Sequence, residues 1–253
     1  MYRKRFKTSV LITSMVIIFS SCNKDIDDPS STNGKTTAVF NSSVTYGTLT
    51  DQDGNKYKTV TIGMQTWMAE NLRTTKYNDS TSIPNVTDAS AWTNLTTGAY
   101  CNYNNTTFTD TIATNGRLYN WFAVNSGKLA PKGWHVATDA EWTTLITYLG
   151  GWEAAGDKLK EIGASHWKRF LPGRWTPAND TVATNSTGFT ALPGGGHNID
   201  GTFGCIGTSG VWWTATEVYG IYAFNREMIS SDGAVYCAGY DKRAGFSVRC
   251  VKD

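Results

Sequence analysis

Apolar and polar positions change period along this chain, and each period predicts an element. In "TYGTLTDQDGNKYKTVTIG" (residues 45–63) Thr, Leu, Tyr and Val alternate on either side of Asp53 and Gly54. That dipeptide supplies the positive φ of a tight turn, so the stretch predicts a β-hairpin. Asp51, Asp53 and Asn55 have a calcium-loop flavour, but an EF-hand loop needs its glycine two positions later, and the turn reading is preferred. "QTWMAENL" predicts a short helix-like turn with Trp67, Met68 and Leu72 inward. Residues 78–115, rich in Asn and Thr, read as a long surface excursion.

Helical periods follow. "GRLYNWFAVNSGK" predicts a helix with Leu118, Trp121 and Phe122 on one face and Gly127 closing it. In "GWHVATDAEWTTLITYLGG" (133–151) Thr138 stands three residues before Glu141, the capping-box spacing, and Asp139 falls in the first turn where the helix dipole favours an anion. Trp142, Leu145, Ile146 and Leu149 then recur at i, i+3, i+4 and i+7, and Gly150 and Gly151 end the helix. Both carboxylates thus have structural work, and His135, just before the cap, has no evident partner. "AAGDKLKEIG" predicts a second short helix. Beyond it "GFTALPGGGHNIDGTFG", "GVWWTATEVYGIYAFNREMI", "AVYCAGYD" and "GFSVRCVKD" read as strands with glycine turns. The fold class expected is α+β: an early hairpin, two principal helices, and an antiparallel sheet built largely from the last third.

The first 21 residues follow another logic. "MYRKRFK" carries four cations, and the apolar run "TSVLITSMVIIFS" after it is too short to span a bilayer and has the flanks of a secretory signal. The small residues of "FSSC" before Cys22 resemble the lipobox of bacterial lipoproteins, which implies cleavage there and diacylation of the Cys22 thiol. Removing Arg3, Lys4, Arg5 and Lys7 takes the formal net charge from +2 to −2. A slightly acidic mature chain without a cationic run has no footprint for nucleic acid. Residues 22–43, with "NKDIDDPSSTNGKTT", read as a flexible tether. Within it Lys24 followed by Asp25, Asp27 and Asp28 resembles the surface-export signal of Bacteroidetes lipoproteins, and equally suits a solvated acidic linker.

Residues 44–253 suffice for one domain with a substantial core. Ten Trp, twelve Tyr and ten Phe among 25 Gly, with only 17% charged residues, suit a loop-rich, aromatic-cored extracytoplasmic module. Outside the leader region four cysteines, Cys101, Cys205, Cys237 and Cys250, are candidates for disulfides in an oxidising compartment, with three pairings open. There is no CxxC spacing of a zinc knuckle.

Four segments carry a family resemblance: "DQDGNKYKTVTIGMQTWMAENLRTTKYND", "LYNWFAVNSGKLAPKGWHVATDAEWTTLITYLGG", "GFTALPGGG" and "GFSVRCVKD". They closely resemble, in order over residues 46–253, the Fibrobacter succinogenes major paralogous domain. That family is similar to the C-type lectin-like fold and to formylglycine-generating enzymes, here through "ATDAEW" opening a helix and "GFSVRC" as last strand. The resemblance implies a surface or secreted protein of poorly defined activity. One departure is Ala130, in "LAPKGWH", where family members often have "LCPxGWH". The resemblance then makes Cys205 and Cys237 additions, paired with one another, which leaves Cys101 for Cys250. The triplets "DST" (79–81), "DTI" (110–112) and "DTV" (180–182) resemble the O-glycosylation site of Bacteroidetes proteins.

Three functions follow as expectations. The first is a lectin-like binding module for a glycan or protein, its site on the segment from Val218 to Tyr240, where Tyr219, Tyr222, Asn225, Arg226, Tyr236 and Tyr240 have the amphipathic character of recognition surfaces. Calcium-dependent sugar binding needs an "EPN"- or "QPD"-like triplet with "WND"; "PAND" (177–180) comes nearest and lacks the tryptophan. The second is a structural, adhesin or fimbrial accessory at the cell surface. The third, an enzyme, has the least support. Copper-binding oxidases of the related group use two cysteines five apart, and Asp232 stands five residues before Cys237. "GTSGV" misses the nucleophile elbow at Val211, "GGGH" lacks the lysine of a phosphate loop, and His135, His166 and His197 have no i, i+4 pair. The expectation is therefore an outer-membrane, surface-exposed lipoprotein, held by its lipid, without catalysis, metal or cofactor.

Overall fold

The computed structural model describes residues 34–171, 174–177 and 183–253. The leader, Cys22, the first part of the tether, the triplet at 180–182 and most of "PAND" lie outside the described residues.

The first hairpin forms as its alternation predicts. β1 (Gly47–Thr50) and β2 (Lys56–Ile62) pair antiparallel with Leu49 opposite Tyr57, and Gly54 takes φ 82° in the loop. Asp51 organises that loop: Oδ1 accepts from the Asp53 and Asn55 amides, and Oδ2 from Asn55 Nδ2 and the buried Tyr57 hydroxyl at 2.6 Å. β3 (Gln65–Met68) replaces the helix-like turn expected there. Trp67 and Met68 are buried, but on a strand, because Gly63 at φ 60° folds the chain back and sets Val60 opposite Trp67.

The Asn/Thr-rich stretch is less external than its composition suggests. It holds α1 (Ala89–Thr93), β4 (Tyr100–Cys101), a 3-10 turn (Tyr103–Asn105) and α2 (Thr109–Asn115). Trp92, Tyr100, Cys101 and Tyr103 are buried within it. A few aromatics fix the path, and Asn102, Asp110 and Thr114 are buried along with them.

The long helix expected over residues 116–128 is also corrected. Leu118 lies in β5 (Leu118–Tyr119), paired with Cys101, and α3 (Trp121–Val124) is only four residues long. Asn120 divides them: its side chain caps α3 by accepting from the Ala123 amide at 3.1 Å. β6 (Trp134–Val136) leads into α4 (Asp139–Tyr148), where the capping box between Thr138 and Glu141 is present and Trp142, Leu145, Ile146 and Leu149 are buried. α5 (Trp152–Leu159) follows, then a two-stranded ribbon of β7 (Lys168–Leu171) and β8 (Arg174–Pro177).

The last third supplies β9 (Gly194–His197), β10 (Phe203–Ile206), β11 (Ser209–Tyr219), β12 (Tyr222–Ile229), β13 (Tyr236–Asp241) and β14 (Cys250–Lys252). Two five-stranded sheets result, ordered β1-β2-β3-β14-β6 and β10-β9-β11-β12-β13. The second is antiparallel except where β9 runs parallel to β11 at Gly195 and Gly210. The fold is thus α+β and rich in sheet. "GFSVRCVKD", expected as one strand, is a strand only from Cys250 to Lys252. The preceding residues thread between the two sheets: Ser247 exchanges backbone hydrogen bonds with Val211 and Trp213, and Val248 accepts from the Leu72 amide.

Packing around that threaded segment is aromatic. Trp67, Trp142 and Phe189 meet with ring centroids 5.0–5.7 Å apart, and Trp212 lies 6.1 Å from Trp142. Within this core Arg249 is fully buried. Its Nε donates to Asn71 Oδ1, Nη1 to the Met68 and Phe189 carbonyls, and Nη2 to the Thr190 carbonyl. Asn71 Oδ1 also takes the Trp212 indole N–H at 2.9 Å.

None of the four cysteines is in a disulfide. Cys205 on β10 and Cys237 on β13 occupy opposite edges of the second sheet. Cys237 Sγ instead lies 3.5 Å from Asp139 Oδ1. Cys101 and Cys250 belong to separate hydrophobic clusters. Residues 34–43, expected in the tether, run along the domain. The Thr37 amide donates to Thr114 Oγ1, the Val39 amide to Glu161 Oε1, and Phe40 packs with Tyr46 at 5.5 Å.

Candidate functional site

The six residues singled out in the Val218–Tyr240 segment all fall on the second sheet, yet they separate into three settings. Tyr219 and Tyr222 close the β11–β12 hairpin on either side of Gly220 and Ile221, and are 62% and 36% exposed. Their rings meet edge to face at 5.7 Å. Ile221 between them is 57% exposed, so the hairpin tip is a small apolar and aromatic cluster presented to solvent.

The base of the hairpin is held firmly. β11 carries Trp212 and Trp213 into the core on opposite faces, and Trp213 Nε1 donates to the Tyr119 carbonyl at 2.9 Å. Lys242 braces the tip from below: its Nζ donates to Glu217 at 2.7 Å and to the Gly220 carbonyl at 2.6 Å, and lies 4.7 Å from the Trp121 ring centroid. A tip restrained in this way loses little conformational entropy when something docks on it.

Arg226 and Asn225 have inward roles, being only 6% and 2% exposed. Arg226 Nε and Nη2 reach Asp139 Oδ1 at 3.0 and 2.6 Å, and Nη2 also reaches Thr143 Oγ1. The pair ties β12 to the first turn of α4, so Asp139 serves both the helix dipole and a guanidinium. Asn225 Oδ1 is buried with no hydrogen-bond partner. On β13, Tyr236 is half-buried, donates to Asp232 at 2.9 Å and lies 6.1 Å from the Trp152 ring. Tyr240 packs on Phe246 at 5.1 Å, and burial, with the nearby Glu227 charge, pushes its hydroxyl up to about 12. Tyr236 and Tyr240 share a face with Asn225 and the buried Glu227, whose Oε1 accepts from Ser209 at 2.5 Å.

Ile221 and Lys242 belong to the site but escape a sequence reading of polar and aromatic residues. The signal was the run Tyr-Gly-Ile-Tyr, apolar where a hairpin turn is ordinarily polar.

The three histidines are placed apart. His197 stacks on Trp92 and Phe203 at 4.3 and 4.4 Å, and burial lowers its imidazole to about 4. His166 joins the buried Glu161 to Thr37, pinning residues 34–43. His135, which had no evident partner in the sequence, is clamped: Nε2 meets Glu141 at 2.6 Å and Nδ1 meets Asp253 at 2.7 Å. Burial alone would lower the His135 imidazole, but the hydrogen bonds and charges of Asp253 and Glu141 outweigh it and raise it above 6.5.

A histidine raised in the folded state contributes stability that is complete below its unfolded pKa and is lost as pH rises through its folded pKa. Because His135 is partly exposed, solvent screening keeps the contribution below about 1 kcal/mol. The melting temperature of the wild type should therefore exceed that of His135→Gln by a few degrees near pH 6 and converge on it by pH 9. A difference that does not change with pH would rule the clamp out as a stabilising charge pair.

Among the described residues no group of three or more His, Cys, Asp or Glu is arranged to hold a metal ion, and no helix is long and apolar enough to cross a membrane. Compared with known proteins, residues 60–252 match the family model described as the Fibrobacter succinogenes major domain. No curated protein and no solved structure matches the chain.

Proposed function

The chain belongs to the Fibrobacter succinogenes major domain family, and from that premise we propose that it is a lipid-anchored surface protein whose lectin-like domain binds a glycan without calcium or catalysis. The observation that carries this reading is the braced, exposed pair Tyr219 and Tyr222 with Ile221 between them. Tyrosine rings offer a flat apolar face to a sugar and a hydroxyl at its rim, at low entropic cost. The candidate site is therefore narrowed to the hairpin tip, with Arg226 and Asn225 as supports. The lipid on Cys22 would place the protein in the outer membrane with the domain outward.

A second reading, an accessory that assembles with other surface proteins, draws on β13, which ends the second sheet and has no strand on its outer side among the described residues.

The test is binding of the full chain, purified in detergent, to a broad glycan array with and without EDTA. The expected result is a saturable signal that survives EDTA and falls by about 2- to 12-fold, the worth of one stacked ring, in Tyr222→Ala or Tyr219→Ala. Silence across the array from folded protein would overturn the glycan reading in favour of assembly. Loss of signal in EDTA would overturn the calcium-independent part.

A further inference from the structure

A second recess lies on other elements, between the loop that follows β1, the residues after β3, and α2. It encloses about 340 Å³ and is lined by Asn55, Arg73, Thr75, Thr109, Ile112 and Arg117, among others. That volume is at the small end of ligand pockets and suits one sugar ring.

Its two guanidiniums differ in setting: Arg73 has the buried carboxylate of Glu70 beside it, and Arg117 is in no ion pair among the described residues. Arg73 lies over the Tyr57 ring at 4.4 Å and its Nη2 donates to the Lys56 carbonyl. Its Nη1 is buried and makes no hydrogen bond, the closest carboxylate oxygen being Glu70 Oε1 at 3.6 Å. Arg117 lies over the Tyr100 ring at 4.8 Å, with Nε donating to the Arg73 carbonyl and Nη1 to Asn102 Oδ1. These acceptors are neutral, and no carboxylate pairs with Arg117 among the described residues. Its Nη2 has no partner there.

The one carboxylate in the lining is already engaged: Asp53 meets Lys76 at 3.2 Å and accepts from Thr74 and Thr75. The other groups suit hydroxyls. Asn55 Nδ2 and the Thr75 hydroxyl both donate to aspartates, which leaves Asn55 Oδ1 and Thr75 Oγ1 as acceptors. Ile112 and Ala113 supply an apolar wall.

We propose that this cleft binds a carboxylate-bearing sugar, Arg117 and the Arg73 edge taking the acid while Asn55, Thr75 and Thr109 take its hydroxyls. A planar fork is matched to a carboxylate, and charge-assisted hydrogen bonds are the stronger kind. The site shares no residue with the hairpin tip, so it stands or falls separately from the glycan reading made there.

Calorimetric titration of the full chain in detergent with sodium glucuronate, glucose and inorganic phosphate tests it. Glucuronate should bind with glucose and phosphate each at least about tenfold weaker, the loss expected when charge-assisted hydrogen bonds go unmade. Arg117→Gln should weaken glucuronate by a similar factor, as should Ile112→Trp, which fills the cleft and leaves both guanidiniums in place. Tyr222→Ala should leave glucuronate binding unchanged. Phosphate as tight as glucuronate would make this a general anion site, and glucose as tight would remove the acid from recognition. Either result, absence of glucuronate binding, or wild-type affinity in both cleft variants overturns the proposal.

Discussion

Arg249→Met should abolish folding of the domain or lower its melting temperature by more than about 10 °C. Methionine is a large unbranched side chain, so a cavity is not the main term. The loss comes from what the guanidinium leaves behind. Four N–H groups now serve the carbonyls of Met68, Phe189 and Thr190 and the side chain of Asn71, all deep in the core. A buried acceptor deprived of its donor costs about 1–3 kcal/mol, and several are orphaned together, so about 4 kcal/mol or more is expected. At 2–4 °C per kcal/mol for a domain of this size, that reaches about 10 °C. Burial pushes the Arg249 guanidinium down to about 9, which still leaves it charged at neutral pH. Arg249→Lys should not rescue, because one ammonium cannot spread four bonds over the width of the fork. Thermal melts followed by circular dichroism check this. A drop under about 3 °C for Arg249→Met would mean that the carbonyls find other donors.

Cys22→Ala should move the protein from the membrane fraction to the soluble fraction. The proposed anchor is a diacylated thiol at the end of a cleaved leader. Each buried methylene of an acyl chain contributes about 0.8 kcal/mol, and one short chain gives only reversible attachment, whereas two hold stably. Among the described residues no helix is long and apolar enough to cross a membrane. Fractionation of cells expressing wild type and variant, with labelled palmitate as a second readout, decides it. Membrane retention of Cys22→Ala, or absence of label in the wild type, would remove the lipid anchor from the proposed function.

Much of the fold was legible where the local signal and the tertiary need agreed. Helix α4 is the clearest case: its cap, its apolar stripe and its glycine stop all coincide in one stretch. The strands over residues 194–241 follow the glycine turns expected between them, whereas residues 245–249 thread between the sheets. The misreadings share a cause. Asn120 lies inside the helical period expected over residues 116–128, but it is the cap that starts α3 two residues after β5 ends. Trp67 and Met68 fit an inward helical turn as well as a strand, and only pairing with β2 decides between them. Of the candidate site residues, Tyr219 and Tyr222 lie exposed at the tip of a hairpin, a position the glycine between them announces. The inward ion pair of Arg226 with Asp139 is a long-range feature, 87 positions apart, that no local pattern marks. The two-arginine cleft was invisible for the same reason.

The order of the first sheet has a consequence for how the chain is made. β14, formed by Cys250–Lys252, lies between β3 and β6, so the last of the described strands occupies the interior of the sheet begun first. A nascent chain emerging from the ribosome at 5–20 residues per second would wait about 10–40 s between completing β3 and acquiring its neighbour. Throughout that interval the sheet is open, and Arg249 has not yet been synthesised. Pairings this distant in sequence also make closure slow after release. The topology therefore keeps the first sheet from closing until residues 250–252 have been made, long after its first three strands.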